Sequence, residues 1–336
     1  HLALSFESQG GAPFFGQPLF TVEVREDQVR GQVSSSRVFV DNGGGVDKKN
    51  EFLALVDHYE VTTTPCDGVA LLQIDETFLP TNSNAAIEAI PSYHTEQLKE
   101  GEGDVIWTIY LKNGDTLRLR HTVKITRVPV VTLTENDYPM ATVDDLNVLL
   151  DTLAHEADRK SVYILQLPAV TYEGGLTMKN FCCDLVGSEG GTTFTGTVTI
   201  ATRGIHPSNI TNVRFVGDGT GIGLSASEGA FLHHCTFENW EIGAYGGLGS
   251  WVNATGCTFR GNGVGLWLDN RGGATCSGSY YGDSVYEDNG TAVRIAAMPG
   301  AETLNFNNCV FRGNGVNVEN TAGYAVDLSQ IVTVEN

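Results

Sequence analysis

The chain has 336 residues, 20 basic against 40 acidic, and a formal charge of −20, which argues against nucleic acid or any partner held mainly through phosphate charge. With 41% hydrophobic and 18% charged residues it can bury a core, so wholesale disorder is excluded. Forty glycines point to many tight turns between short strands. No apolar run reaches the roughly 20 residues that span a bilayer, so membrane attachment would have to come from segments outside this chain. The opening at His1, without the basic-then-apolar order of a signal peptide, reads as a mature product or an excised ectodomain.

Over residues 1–133 apolar and polar positions alternate in short runs, as in Phe20–Val24, Val105–Leu111 and Leu117–Arg120. This is the pattern of half-buried antiparallel strands. Lys112-Asn113-Gly114-Asp115 carries the Asn-Gly signal of a two-residue hairpin turn, and Val123–Val131 reads as a further strand. The expectation is a β-sandwich of immunoglobulin-like size. Asp41-Asn42-Gly43-Gly44-Gly45-Val46-Asp47 has the acidic, glycine-rich character of a Ca²⁺ loop but reads as a flexible connection. No cofactor is expected.

From Thr142 the pattern changes. Thr142 precedes two acidic residues, and Leu146, Leu149, Leu150 and Leu153 follow at helical spacing, which predicts an amphipathic helix at about 143–158. Val162–Leu167 reads as a strand, and a glycine-punctuated tract follows. Within it segments repeat: Asn212–Gly219, His234–Trp240, Gly256–Gly263, Asp283–Gly290 and Asn308–Gly315, with a weaker copy at Cys182–Ser188. Aligned on Leu185, Phe215, Phe237, Phe259, Tyr286 and Phe311, the copies start 22 to 30 residues apart.

So short a repeat cannot bury its apolar side alone and must stack as coils. These repeats, of the type Asn-Cys-Thr-Phe-x-x-Asn-Gly, resemble the pectin-lyase-like right-handed parallel β-helix superfamily over about 175–330. The expected fold is all-β: the sandwich over 1–133, then 134–336 with a capping helix and a β-helix of about six coils. Stacking places Cys183, Cys235, Cys257 and Cys309 with Val213 and Ser284 as small interior residues. It places Asp218, Asn262, Asn289 and Asn314 at a turn, and Glu238, Arg260, Glu287 and Arg312 in a solvated ladder of alternating sign.

On the next strand Val264, Leu266 and Leu268 point inward and Gly265, Trp267 and Asp269 outward. That register gives an outward column of Gly223, Tyr245, Trp267, Arg294 and Glu319. Aromatic rings beside charged groups suit a sugar face, so Tyr245, Trp267, Asp269, Arg294 and Glu319 are the candidate ligand-binding residues. Trp240, Trp251 and the insert Gly272–Asp283 with Tyr280 and Tyr281 lie nearby in sequence.

Many relatives of this fold cleave acidic polysaccharides, so the resemblance also implies a polysaccharide lyase or glycoside hydrolase as an alternative. The Trp-x-Asp-His and Arg-x-Pro-x-x-Arg stretches of pectate-lyase-like enzymes are absent. Of the galacturonase motifs only Asp144-Asp145, Gly204-Ile205-His206 and Arg294-Ile295-Ala296 survive as fragments; Asp269 with Asp283 or Glu241 could form a carboxylate pair only through folding. Ala141–Gly175 faintly resembles extracellular regions attached to penicillin-sensing antirepressor membrane proteins, which implies a sensor ectodomain; no Ser-x-x-Lys occurs. The leading expectation is an extracellular or cell-surface module whose partner is a polysaccharide or cell-wall glycan, with no catalytic residue assigned.

Overall fold

The computed structural model describes residues 2–7, 13–40, 45–64, 71–80, 84–94, 100–250, 252–271, 281–297 and 303–334. These fall into two compact units, His1–Val130 and Val131–Asn336. No helix among the described residues is long and apolar enough to cross a membrane.

The first unit holds two sheets. One orders the strands Pro13–Phe14, Leu4–Glu7, Ser36–Val40, Ala85–His94 and Arg30–Gln32, with Leu71–Phe78 also on Ala85–His94; the other orders Leu19–Arg25, Thr116–Val128, Gly101–Leu111 and Val56–Thr63. Alternation puts Val105, Trp107 and Ile109 inward, where they share one core with Phe6, Val38 and Ile87 of the facing sheet. Ser36 ties the layers: Trp107 Nε1 donates to its hydroxyl at 3.0 Å, and His121 Nδ1 lies 3.1 Å from the same oxygen.

Local details differ from the sequence reading. The hairpin turn has three residues, because Leu111 N donates to Asp115 O and Gly114 takes φ 91°, the left-handed residue of a bulged turn. Leu117–Arg120 and Val123 onward are one strand, Thr116–Val128, held by ten register pairs with Gly101–Leu111. An unexpected helix, Gly45–Leu55, begins within the segment Asp41–Asp47, expected as a flexible connection, whose residues 41–44 lie outside the described set. It is weakly amphipathic, which hid it: Phe52 is buried in the core, Leu53 packs half-buried against the same core, and Lys49 donates to Pro80 O.

In the second unit a short strand, Val130–Leu133, precedes a helix at Val143–Glu156. Thr142 and Asp145 form a reciprocal capping box, and Val143, Leu146, Leu149, Leu150 and Leu153 are buried in the core of the strands that follow. The helix stops two residues short of the expected end, at a turn where Asp158 accepts from Lys160 N and Ser161 Oγ. Among the described residues the strands of this unit form sheets of eight, seven and six strands, with a further parallel pair, Leu304–Asn305 and Val326–Asp327, that together wind about seven turns.

Each coil position meets its own counterpart one turn away. Tyr172, Phe194, Phe215, Phe237, Phe259, Tyr286 and Phe311 form one column of stacked rings, their centroids 4.5 to 6.0 Å apart. Leu185 is not a member: it pairs with Leu165 and Ile210 in another sheet, and Phe194 underlies Phe215. The Tyr172 and Thr333 rungs lacked the motif, hence the underestimate of six coils. Cys183 is likewise buried outside the column of Cys235, Cys257 and Cys309, where Thr192 pairs with Val213. Burial raises the Cys257 and Cys309 thiols, Cys309 to about 11, so these thiols stay protonated and inert as filler.

The Gly-Asn-Gly motif now has a physical reading. Gly261 and Gly313 turn the corner at φ 64° and 63°. The following Asn residues run a ladder: Asn262 Nδ2 donates to Phe237 O and Asn289 Oδ1, and Asn289 Nδ2 to Phe259 O and Asn314 Oδ1, all at 2.9 to 3.0 Å. The last glycine is a close approach, since a Cβ on Gly263 or Gly315 would meet a carbonyl one coil below at 2.7 Å. Asp218 is no part of this ladder; it is exposed and bonds Thr220, while Trp240 occupies the adjoining rung and donates its backbone N–H to Asn262. The charge ladder forms as expected through Glu238, Arg260, Glu287 and Arg312, with Arg214 added, at 3.0 to 3.2 Å.

Three consequences are measurable. Asn289→Ala should lower the stability of the solenoid by about 3 kcal/mol, since several buried partners are orphaned together; a loss below that of a typical surface pair in urea unfolding would contradict the ladder's role. The Tyr286 hydroxyl is buried without a hydrogen-bond partner among the described residues, so Tyr286→Phe should gain about 1 kcal/mol, and a lowered midpoint would refute this. Burial between Phe6 and Phe20 pushes His121 down to about 4. Below pH 6.5 the unfolded chain then takes up a proton that the folded one refuses, so the first unit should lose about 3 kcal/mol as pH falls from 6.5 to 4. His121→Gln should flatten that slope in pH-dependent urea titrations; an unchanged slope would assign the loss to other groups.

Candidate functional site

The outer face of the seven-stranded sheet carries the predicted column. Tyr245 pairs with Trp267, Trp267 with Arg294, and Arg294 with Glu319, as the sequence register required. The residue one coil below Tyr245 is Ser225, not Gly223, which lies two residues earlier opposite Gly243. The turn Gly217–Gly221 holds two residues more than its counterpart in the next coil, and this shifts the count. Thr199 and Thr177 continue the column downward. The result is a line of hydroxyls that ends in two aromatic rings and an ion pair.

Side chains in the upper part hold one another. The Tyr245 and Trp267 rings meet edge to face, with centroids 5.6 Å apart at 86°. The Arg294 guanidinium lies 4.7 Å from the Trp267 ring centroid, and its Nε bonds Glu319 at 2.7 Å. Tyr245 donates its hydroxyl to Asp269 Oδ2 at 3.1 Å, and burial, with the nearby Asp269 charge, raises the Tyr245 phenol. Asp269 is 9% exposed rather than freely outward, because the register shifts after Leu268 and sets Asp269 opposite Ala297. Its other oxygen binds Arg271 at 2.7 Å, and Arg271 remains 70% exposed. Arg271 escaped the sequence reading; its spacing of two from Asp269 was the available signal.

Other candidates separate. Trp240 is buried and covers the turn at Gly217, and Tyr281 is interior, stacked on Phe306 at 5.1 Å; neither widens the aromatic face. Trp251 and Tyr280 lie outside the described residues. Asp269 bonds Tyr245 and Arg271, Asp283 bonds Asn308, and Glu241 is exposed, so the carboxylate pairs considered for acid–base chemistry have no mutual contact. Asp145 serves the helix cap and His206 lies in a turn after Val198–Ile200, which divides the galacturonase-like fragments among unrelated positions. His233 bonds Asn209 at 3.2 Å, while His234 turns the corner at φ 54°. Among the described residues no cluster of three or more His, Cys, Asp or Glu side chains is arranged to hold a metal.

Residues 183–336 match a family model described as "Right handed beta helix region". A search of curated proteins gave no match. Among solved structures the chain is similar to the "Structure of Yersinia enterocolitica Family 28 Exopolygalacturonase", at 10% identity and a TM-score of 0.25, over 85% of this chain and 78% of that one. A likeness of that degree carries no argument about activity. The family match and the three parallel sheets agree that the C-terminal half is a right-handed parallel β-helix, the fold of the pectin-lyase-like superfamily that its repeats resemble.

Proposed function

We propose that the protein is an extracellular or cell-surface glycan-recognition module and that Tyr245, Trp267, Asp269, Arg294 and Glu319 form its binding face, with Arg271 at the edge. The observation that carries this reading is the perpendicular Tyr245–Trp267 pair, half-exposed on a flat sheet face and flanked by polar groups. Packing of the solenoid interior requires neither ring, and an aromatic edge beside fixed carboxylate and guanidinium groups matches the alternating apolar and hydroxyl faces of a sugar. Binding is favoured over cleavage because the nearby carboxylates each engage a cation, Asp269 with Arg271 and Glu319 with Arg294. A glycosidase instead sets two carboxyl groups across the scissile bond.

Glycan-array and calorimetric titration of the wild type and Trp267→Ala tests the reading. Loss of the ring should weaken binding about tenfold or more, whereas Tyr245→Phe, which keeps the ring and frees Asp269, should have a smaller effect. Equal affinity in wild type and Trp267→Ala would remove this face from consideration.

A further inference from the structure

The second unit contains seven arginines. Five are ion-paired: Arg214, Arg260 and Arg312 in the ladder with Glu238 and Glu287, Arg271 with Asp269, and Arg294 with Glu319. Arg159 and Arg203 make no ion pair among the described residues, and both line the same cavity of about 300 Å³. In a chain of charge −20, two cations without carboxylate partners converging on one cavity call for an explanation.

Arg159 follows the capping helix, where it donates to Ala154 O and lies over the Phe181 ring at 5.4 Å. This fixes its guanidinium and leaves other N–H groups unused. Arg203 stands exposed in the turn between Val198–Ile200 and Ser208–Thr211 and makes no side-chain hydrogen bond among the described residues. Phe181, Tyr163, Val162 and Ile205 supply apolar wall.

Two carboxylates also line the cavity: Asp158 accepts from Lys160 N and Ser161, and Asp184 accepts, among its contacts, from the Asn209 backbone and amide at 2.9 and 3.4 Å. The Cys182 thiol meets Ser208 Oγ at 2.6 Å, and burial raises it, so it adds no charge. The lining thus sets two carboxylates and His206 beside the two arginines. A monoanion therefore suits it better than a phosphate dianion, and a guanidinium fork matches a carboxylate in shape.

We propose that this cavity binds a small organic monocarboxylate with a compact apolar body, its carboxylate held by Arg203 and Arg159 and its body against Phe181 and Ile205. A volume of about 300 Å³ is at the small end of ligand sites, which excludes an oligomeric ligand. None of the residues of the aromatic face lines this cavity, so the site is independent of the glycan reading.

The test is titration of the full chain with benzoate, acetate and cyclohexanecarboxylate at millimolar concentration, followed by backbone amide NMR. Benzamide serves as the neutral isostere and inorganic phosphate as the dianion. Benzoate should bind saturably, shifting amides at 158–163 and 202–206, with benzamide and phosphate at least tenfold weaker. Arg203→Ala, on an exposed turn, should weaken benzoate about tenfold or more without changing the melting temperature, and Arg203→Lys should restore part of the affinity. Absence of saturable binding by all three carboxylates, equal binding of benzamide, or undiminished binding by Arg203→Ala would each overturn the proposal.

Discussion

Hydrogen bonding between parallel strands about 4.8 Å apart governs the solenoid, because it sets every side chain directly over its counterpart in the next coil. A parallel stack cannot offset like against unlike by reversing direction, so each column needs a composition that tolerates repetition. Flat rings do so inside, where six successive contacts from Tyr172 to Phe311 keep centroids within 4.5 to 6.0 Å. Asn does so at the turn, since one side chain both donates to and accepts from its copy. Charge does so only by alternating sign, as from Arg214 to Arg312. The corners obey the same constraint: Asn212, His234, Gly256, Asp283 and Asn308 all take φ between 54° and 64°, a conformation open mainly to Gly, Asn and Asp.

The outer column of the seven-stranded sheet departs from this repetition. Its sequence, Thr177, Thr199, Ser225, Tyr245, Trp267, Arg294 and Glu319, contains no repeated motif above the hydroxyls. Neighbours there interact through unlike groups: ring edge on ring face, guanidinium on indole, carboxylate on guanidinium. An outward position is free to vary because the interior is already filled from the other side of the same strands. Variation confined to one face is what a recognition surface on a repetitive scaffold requires.

Electrostatics follows a related division. Most arginines of the solenoid are matched to carboxylates, which lets a strongly acidic chain stack like charges at one-coil separation without repulsion. Exposed pairs of this kind contribute less than about 1 kcal/mol each, so their main effect is to remove a penalty. Buried amide ladders and the apolar column supply the stability. The arginines left outside this scheme therefore carry more information about ligands than the paired ones.

The repeat of Phe, Asn and Gly from 237 to 315 determined the solenoid, its inward columns, the charge ladder and the four-membered outward series from Tyr245 to Glu319, because each of these coils keeps the same spacing, eight residues, from its ring to its outward position. The Leu spacing after Thr142 likewise determined the capping helix. Where the turn between ring and outward strand changes length, spacing no longer reports register, since that is set by hydrogen bonds to the neighbouring strand. Only the tertiary structure could therefore put Ser225 in place of Gly223, Phe194 in place of Leu185, and Asp269 beyond a shifted register against Tyr245 and Arg271. It alone revealed the weakly amphipathic helix Gly45–Leu55, and it alone brought Arg159 and Arg203 to one cavity. Such contacts join turns and helix ends that share no period, so no pattern along the chain encodes them.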